Sequence, residues 1–283
     1  ASDVYKRQPW MSTHGFACVF KGTENGAKVA VKCFTREVPE RRERYRAIAG
    51  YLGKRKEPYW TAFEYLDAEF YVDTRLGGDY QDVVIMPWAE GLTLGEHVAR
   101  ACQKGDKTAL AQVALNFDRM AVWLLGQEFA HGDLKHDNII VRTDGSLLLV
   151  DYDGMFVPAF QGKQALELGG QGYQHPLRAP QHFDRHLDDF SILAISLSLH
   201  ALAAEPALHQ EKTTDNLLLA QKDIVEFQSS AMLDRIYKLK APTINNLLVL
   251  LYKSLAAQSL HVPLLQDVFE VVAPIFATKY GKT

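Results

Sequence analysis

The chain of 283 residues has little that points to secretion, to a membrane or to nucleic acid. Its three cysteines match neither a disulfide framework nor a zinc-ligand pattern, which favours a reducing, cytoplasmic location. The formal net charge is -3, so the chain as a whole offers no positive electrostatic footprint for nucleic acid. The longest apolar run, residues 192–204, is shorter than the roughly 20 residues that span a bilayer. No signal-peptide pattern is visible, and we therefore expect a cytoplasmic protein without nucleic-acid or membrane partners.

The first residues differ in character from the rest of the chain. The sequence SDVYKRQ, at positions 2–8, resembles a translated sequencing adapter of the kind found at the ends of metagenomic reading frames. We expect residues 1–8 to be a non-native leader with no part in the function.

The N-terminal part of the remaining sequence is rich in predicted strands. The runs FACVFKG and AKVAVKCF are β-rich and are joined at Asn25-Gly26, a strong signal for a tight hairpin turn. A helix is predicted over residues 39–52, with Pro39 in its first turn, and two more extended segments follow over 62–72 and 82–88. This order predicts a small domain, residues 9–87, built on a mostly antiparallel sheet.

The C-terminal part is mainly helical. Residues 108–130 carry apolar side chains at helical spacing, and further helices are predicted towards the C-terminus. The long stretch 151–187 between them is irregular, and such stretches inside compact domains are usually functional. The predicted fold class is α+β, with an antiparallel-sheet domain at 9–87 and a mainly helical domain at 88–283.

The stretch HGDLKHDNIIVRTDGSLLLVDYDG, residues 131–154, concentrates polar side chains around a short apolar hairpin. Its two apolar strands are predicted to be buried, and their ends should bring Asn138 and Asp151 to one edge of the core beside Asp133. Asparagine and aspartate oxygens suit Mg²⁺, which is usually held by few protein groups together with substrate phosphates. Asp133 can accept a hydroxyl proton, and Lys135 can neutralise charge on a transferring phosphoryl group. The pattern predicts a phosphoryl-transfer site.

These residues resemble the eukaryotic-type protein kinase superfamily. HGDLKHDN is similar to the catalytic loop H-R-D-L-K-x-x-N, and Asp151 follows Asn138 at the spacing of the family's magnesium aspartate. The resemblance implies a bilobal kinase-like fold that binds ATP and Mg²⁺. It also implies that Asp133 is the catalytic base and that Asn138 and Asp151 hold the metal.

A strand in the N-terminal part resembles another motif of the family. VAVKCF is similar to the V-A-I-K motif, which implies that Lys32 contacts the α- and β-phosphates and that Ala30 is a wall of the adenine pocket. A lysine within an apolar strand needs a partner. Glu43 or Glu40 of the following helix is the candidate, and we prefer Glu43.

Two more segments continue the resemblance in the same order. VVIMPWAEGLTL is similar to the hinge between kinase lobes, which implies that Met86 is the gatekeeper and that Trp88 and Ala89 lie against adenine. LDDFSILA is similar to D-x-W-S-L-G, which implies that Asp188 braces the catalytic loop. The resemblance covers the chain from about Ser12 to the C-terminus.

The phosphate-binding loop departs from the family pattern G-x-G-x-F-G-x-V. The sequence STHGFACV keeps Phe16 and Val19, and Val19 is the expected nucleotide contact. Three positions that are glycine in the family are occupied here by Ser12, His14 and Ala17. Because glycine lets backbone amides approach phosphate, these replacements favour weaker or altered binding of ATP.

Other departures lie in the C-terminal part. Gly132 replaces the catalytic-loop arginine, which implies that the usual pocket for an activation-loop phosphate is missing. Asp153 is a rival to Asp151 as metal ligand. The sequences DYDGMFVP and GYQHP resemble a bacterial group of kinase-like proteins. The spacing of the histidines at 175, 182 and 186 is not a metal-ligand pattern.

Three functions remain open on the sequence. Lys135 favours, by resemblance, a kinase that phosphorylates serine or threonine of a protein substrate. The HGD form of the loop is also found in small-molecule kinases of the aminoglycoside and choline type, although Lys135 and VDYDGM do not resemble those enzymes. The lost glycines favour a pseudokinase that acts as a nucleotide-binding scaffold.

Overall fold

The chain has the predicted α+β class, with an antiparallel sheet in its first part and helices after it. The computed structural model describes residues 11–14, 17–34, 40–54, 57–74, 77–257, 260–263 and 265–269. The predicted leader at 1–8 and Phe16 of the phosphate loop lie outside the described residues. The chain divides into two units, Ala1–Glu90 and Gly91–Thr283, whereas the sequence predicted a boundary after residue 87.

The first unit is built on a five-stranded sheet in the order β1-β2-β3-β5-β4, with all neighbouring strands antiparallel. The strands are β1 (Met11–His14), β2 (Ala17–Glu24), β3 (Ala27–Phe34), β4 (Glu64–Thr74) and β5 (Gly77–Pro87). At the β2–β3 turn, Asn25 and Gly26 have φ angles of 48° and 82°. This left-handed geometry suits a tight hairpin and confirms the turn predicted from the sequence.

One helix, α1 (Arg41–Leu52), packs against this sheet and is followed by Gly53. The ring of Tyr45 lies 5.2 Å from that of Phe34 on β3 and 5.4 Å from that of Tyr65 on β4. The other face of the sheet carries a separate apolar cluster around Val29, Val31 and Val83. The sheet is therefore buried on both faces near β3, and burial of both faces explains why that strand is apolar almost throughout.

The second unit combines a small sheet with the remaining helices. The strands β6 (Leu92–Thr93), β7 (Ile139–Val141) and β8 (Leu147–Leu149) form an antiparallel sheet in that order. The helices are α2 (Leu94–Lys104), α3 (Lys107–Leu125), α4 (Asp189–Ala204), α5 (Leu208–Glu211), α6 (Gln221–Val225), α7 (Ala231–Tyr237) and α8 (Pro242–Ala257). The apolar stripe predicted for α3 faces inward, with Leu110, Phe117 and Met120 fully buried.

The helix α4 runs through the centre of the second unit, against α3 and α8, and is buried on all sides from Asp189 to Leu202. Polar groups inside it find partners, as buried polar groups must. Ser196 Oγ donates to one oxygen of Asp118 at 2.8 Å, and His200 Nε2 lies 2.7 Å from the other. None of the helices that the structure describes combines the length and the hydropathy of a membrane span.

Candidate active site

The predicted hairpin at residues 139–149 is present in the second unit. Strands β7 and β8 pair with Ile139 opposite Leu149, and the backbone N–H of Val150 donates to the carbonyl of Asn138 at 3.0 Å. Asn138 and Asp151 therefore leave the hairpin at the same end, as the sequence predicts. The strands are largely buried, so that this end is firmly placed.

Asp133 lies beside the hairpin in a loop that begins at His131, and only 8% of its surface is exposed. Its Oδ2 accepts hydrogen bonds from Lys135 Nζ at 2.8 Å and from Asn138 Nδ2 at 3.1 Å. Its Oδ1 accepts the backbone N–H of Gly170 at 2.7 Å. A carboxylate has about four acceptor positions, so that one position on Oδ1 remains for a further donor.

Lys135 supplies the positive charge next to this carboxylate. Burial lowers its pKa, but the hydrogen bond to Asp133 and the charges of Asp133, Asp151 and Asp137 outweigh burial, so that the pKa lies above its usual value. The ammonium group therefore stays protonated at neutral pH. It can balance negative charge at this position without taking part in proton transfer.

Asn138 has an oxygen that suits a metal ion. Its amide nitrogen is used within the loop, where it donates to the carbonyl and to Oδ2 of Asp133. The residue is buried, with 5% of its surface exposed, yet no donor among the described residues bonds its Oδ1. A hard oxygen of this kind, with the carboxylate of Asp151 at the same hairpin end, fits the ligands that Mg²⁺ prefers.

Asp151 adopts an uncommon backbone conformation, with φ at 67°. This left-handed region costs a residue with a side chain about 1–2 kcal/mol, and such strain is concentrated at functional sites. Asp153 lies two residues further on and is also half-buried. The choice of Asp151 over Asp153 as metal ligand stays a prediction.

Asp188 holds the beginning of the loop. Its two carboxylate oxygens accept the backbone N–H groups of His131 at 2.5 Å and of Gly132 at 2.9 Å. Burial raises the pKa of Asp188, against the lowering effects of His131, of these hydrogen bonds and of Arg178. The bracing contact that the resemblance implied is thus present in the structure.

Gly132, where the kinase family has arginine, contacts another backbone segment. Its φ is 80°, and a Cβ atom added there would lie 2.0 Å from the carbonyl oxygen of Gly154. Real Cβ atoms do not approach other atoms so closely. Glycine at this position therefore has a steric reason, since the backbone of this loop leaves no space for a side chain.

Arg178 is a site residue that the sequence analysis missed. Its Nη1 donates to the carbonyl of Gly132 at 2.8 Å and also to Gln174. Burial lowers the pKa of Arg178, while the charges of Asp188, Asp133 and Asp184 raise it. Its Nε and Nη2 are buried and have no hydrogen-bond partner within the described residues. The guanidinium group of Arg178 thus places a positive charge next to the loop backbone at Gly132, a residue that has no charged side chain.

Tyr173, in the GYQHP segment, ties that segment to the loop. Its hydroxyl lies 2.7 Å from His136 Nδ1 and accepts the backbone N–H of Leu217 at 2.9 Å. Burial lowers the pKa of His136, so that Nδ1 of the neutral imidazole can accept a hydrogen bond from the hydroxyl of Tyr173. Together with the Gly170 contact, this bond holds the irregular region against the residues around Asp133.

In the first unit, the sheet brings four of the predicted nucleotide contacts to one face. Lys32 on β3 is opposite Val19 on β2, and Ala30 is opposite Met86 on β5. Residues paired across antiparallel strands share a face, as do residues two apart on one strand, so that all four side chains lie on the same face. Lys32 is 8% exposed, and its Nζ lies 5.9 Å from the ring of Phe34.

The remaining predicted residues of the first unit lie at its periphery. Trp88 and Ala89 follow β5 and are half-buried, and Lys21 Nζ lies 4.4 Å from the centre of the Trp88 ring. Glu43 is exposed in the first turn of α1, and its pairing with Lys32 stays a prediction. The alternative partner Glu40 faces Arg44, with 3.7 Å between carboxylate oxygen and Nε.

Comparison of the chain with models of known protein families finds no matching family, and comparison with curated proteins finds no significant relative. The functional assignment therefore depends on the residues and contacts of the chain itself.

Proposed function

We propose that the chain is an ATP-dependent phosphotransferase that moves the γ-phosphate of ATP to a serine or threonine hydroxyl of a protein. The loop at 131–138 is the observation that carries the proposal. It holds Asp133 in one orientation through Lys135, Asn138 and Gly170, and leaves one acceptor position of the carboxylate unused. A fixed carboxylate beside a lysine, next to two further oxygen ligands, suits this chemistry.

In this reaction the hydroxyl oxygen of the substrate forms a bond to the γ-phosphorus, and the bond from that phosphorus to the bridging oxygen of ADP breaks. Asp133 Oδ1 orients the hydroxyl and takes its proton. Lys135, which stays protonated because its pKa is raised, offsets negative charge on the transferring group. ADP leaves with the electron pair of the broken bond.

Asn138 and Asp151 are the residues that would hold Mg²⁺, and the bound ion would supply charge neutralisation on the phosphates. Within the first unit, Lys32 would bind the α- and β-phosphates, and Glu43 would pair with Lys32. The adenosine is assigned to the residues of the sheet face and of the segment after β5, namely Val19, Ala30, Met86, Trp88 and Ala89. The assignment is supported by the shared face of Val19, Ala30, Lys32 and Met86.

The test is transfer of label from γ-labelled ATP to the purified protein and to proteins of a cell lysate. We expect transfer by the wild type and a loss of about 10²–10⁴-fold in Asp133→Asn, since a general base contributes that much. Nucleotide binding should be retained in the variant. Asp144→Asn is the matched control, because Asp144 lies exposed in the turn of the same hairpin and accepts hydrogen bonds from the backbone and the hydroxyl of Ser146.

The other outcomes are distinguishable. Transfer to an aminoglycoside, to choline or to a similar small hydroxyl compound, without transfer to protein, would replace the protein-kinase proposal by a small-molecule kinase. Binding of Mg·ATP with no transfer to any acceptor would indicate a nucleotide-binding scaffold. Absence of both binding and transfer in folded protein would refute the proposal.

A further inference from the structure

A cluster of two histidines and one aspartate lies at the beginning of α4, outside the proposed phosphotransfer residues. Asp189 is the first residue of that helix, and its side chain is 3% exposed. His261 Nδ1 lies 2.7 Å from Asp189 Oδ2, and His186 Nδ1 lies 3.5 Å from the same oxygen. The two imidazole ring centres are 4.2 Å apart. Both histidines therefore direct a nitrogen at one buried carboxylate oxygen.

The charge of Asp189 requires compensation, since a buried carboxylate is costly unless it is paired. The backbone N–H of Val262 donates to Oδ2 at 3.1 Å. Within the described residues, no lysine or arginine pairs with this carboxylate. Compensation must come from the imidazoles or from a cation that they share with the aspartate.

The geometry of the cluster suits a tetrahedral metal ion. One ligand atom from each of the three residues lies within 4.8 Å of the other two. Bonds of about 2.0–2.1 Å to nitrogen and oxygen place the ligands of a tetrahedral ion about 3.3 Å apart. The distances of 2.7 and 3.5 Å lie on either side of that value. The side chains of His186 and His261 are 34% and 53% exposed, so that an ion can enter from solvent.

We infer that His186, Asp189 and His261 form a site for a divalent transition-metal ion of the zinc type. Two imidazoles and one carboxylate are typical zinc ligands, and three protein ligands leave a fourth position for water. The bound ion fastens the segment after α8 to the first turn of α4. The neighbouring residue Asp188 holds the loop of Asp133, so that the ion stabilises the helix end to which this loop is attached.

The experiment measures metal binding directly. The full chain, with any affinity tag removed and metal stripped by a chelator, is titrated with Co²⁺ and then with Zn²⁺ in the absence of nucleotide. We expect one Co²⁺ per chain with the visible absorption of a tetrahedral ion, displacement of Co²⁺ by Zn²⁺, and a higher melting temperature with Zn²⁺ by mass action.

Variants decide whether this cluster is the site. His261→Gln and His186→Gln alter partly exposed side chains, and each should lower the affinity at least about 100-fold, because loss of an outer partner alone costs 10- to 100-fold. His182→Gln, a nearby histidine outside the cluster, and Asp151→Asn, in the proposed Mg²⁺ site, should bind Co²⁺ like the wild type. The inference is overturned if the wild type binds no Co²⁺, or if both cluster variants bind Co²⁺ as tightly as the wild type; the contacts are then an ion pair between histidine and aspartate.

Discussion

Lys32 and Asp133 are both buried charged residues, but the two units of the chain hold them by different means. Lys32 lies within β3, where regular backbone pairing with β2 and β5 fixes its position among apolar neighbours. Asp133 lies in an irregular loop, where the side chains of Lys135 and Asn138 bond its carboxylate. A second carboxylate, Asp188, holds the backbone that precedes it.

The difference follows from where the backbone hydrogen bonds go. In a strand, the neighbouring strands satisfy the backbone N–H and carbonyl groups, and the side chain can be exchanged without leaving them unpaired. In the loop, the N–H groups of His131 and Gly132 are satisfied by Asp188 alone among the described side chains. Replacement of a buried polar side chain should therefore lower the free energy of unfolding more in the second unit than in the first.

The largest effect is expected for Asp188→Ala. This change leaves two buried N–H groups without their acceptor and removes one of the negative charges near Arg178. We expect a loss of about 3–5 kcal/mol in the free energy of unfolding. Urea unfolding followed by circular dichroism measures it. A loss below about 1 kcal/mol would contradict the view that this carboxylate holds the loop.

A smaller loss is expected for Gly132→Ala, about 2–4 kcal/mol, from left-handed strain and from the clash with the carbonyl of Gly154. Gly145→Ala is the matched control, because Gly145 has the same φ of 80° and an added Cβ would meet no atom closer than 3.6 Å. The control should lose only the strain contribution of about 1–2 kcal/mol. Equal losses in the two variants would show that the loop moves freely away from Gly154.

Acidification should weaken the second unit through His136, by less than either loop substitution. Because burial holds the pKa of His136 below its usual 6.5, the unfolded chain takes up this proton first, and stability falls as the pH drops through about 6.5. Urea midpoints at pH 7.5, 6.5 and 5.5 should fall more steeply for the wild type than for His136→Gln. If the midpoints of the two proteins fall in parallel, protonation of His136 does not contribute to the loss of stability, and the contact with Tyr173 does not require a neutral imidazole.

The smallest effect on stability is expected for Lys32→Met in the first unit. The two side chains are similar in length and volume, so that the free energy of unfolding should change by less than about 1.5 kcal/mol. Under the proposed function, the same variant should lose most of the thermal stabilisation that Mg·ATP gives to the wild type. A stability loss as large as that of Asp188→Ala would remove the contrast between the two units.

Local signals in the sequence were sufficient to predict much of the fold. Asn25-Gly26 marked the β2–β3 turn, and the β-rich runs on either side of it marked the strands. The apolar runs on either side of residues 142–146 predicted the buried hairpin and the common end of Asn138 and Asp151. These features depend on neighbours in the chain, and such patterns are visible in a single sequence.

Contacts between distant segments could not be predicted in this way. Gly170 and Arg178 reach the loop from the irregular region, where no periodicity fixes the path of the backbone. His186 gave no ligand pattern with the histidines near it, because its partner His261 comes from the segment after α8. The need for glycine at position 132 could not be predicted either, since the atom that excludes a side chain belongs to the backbone of Gly154.

The contact between Gly132 and Gly154 also limits how this protein can evolve. The obstructing atom is a carbonyl oxygen, which every amino acid carries, so that no replacement at position 154 would remove it. An arginine at position 132 would become acceptable only after the whole path of one backbone segment had shifted. A larger side chain at position 132 therefore requires a change in the path of the backbone, which no single substitution at position 154 supplies.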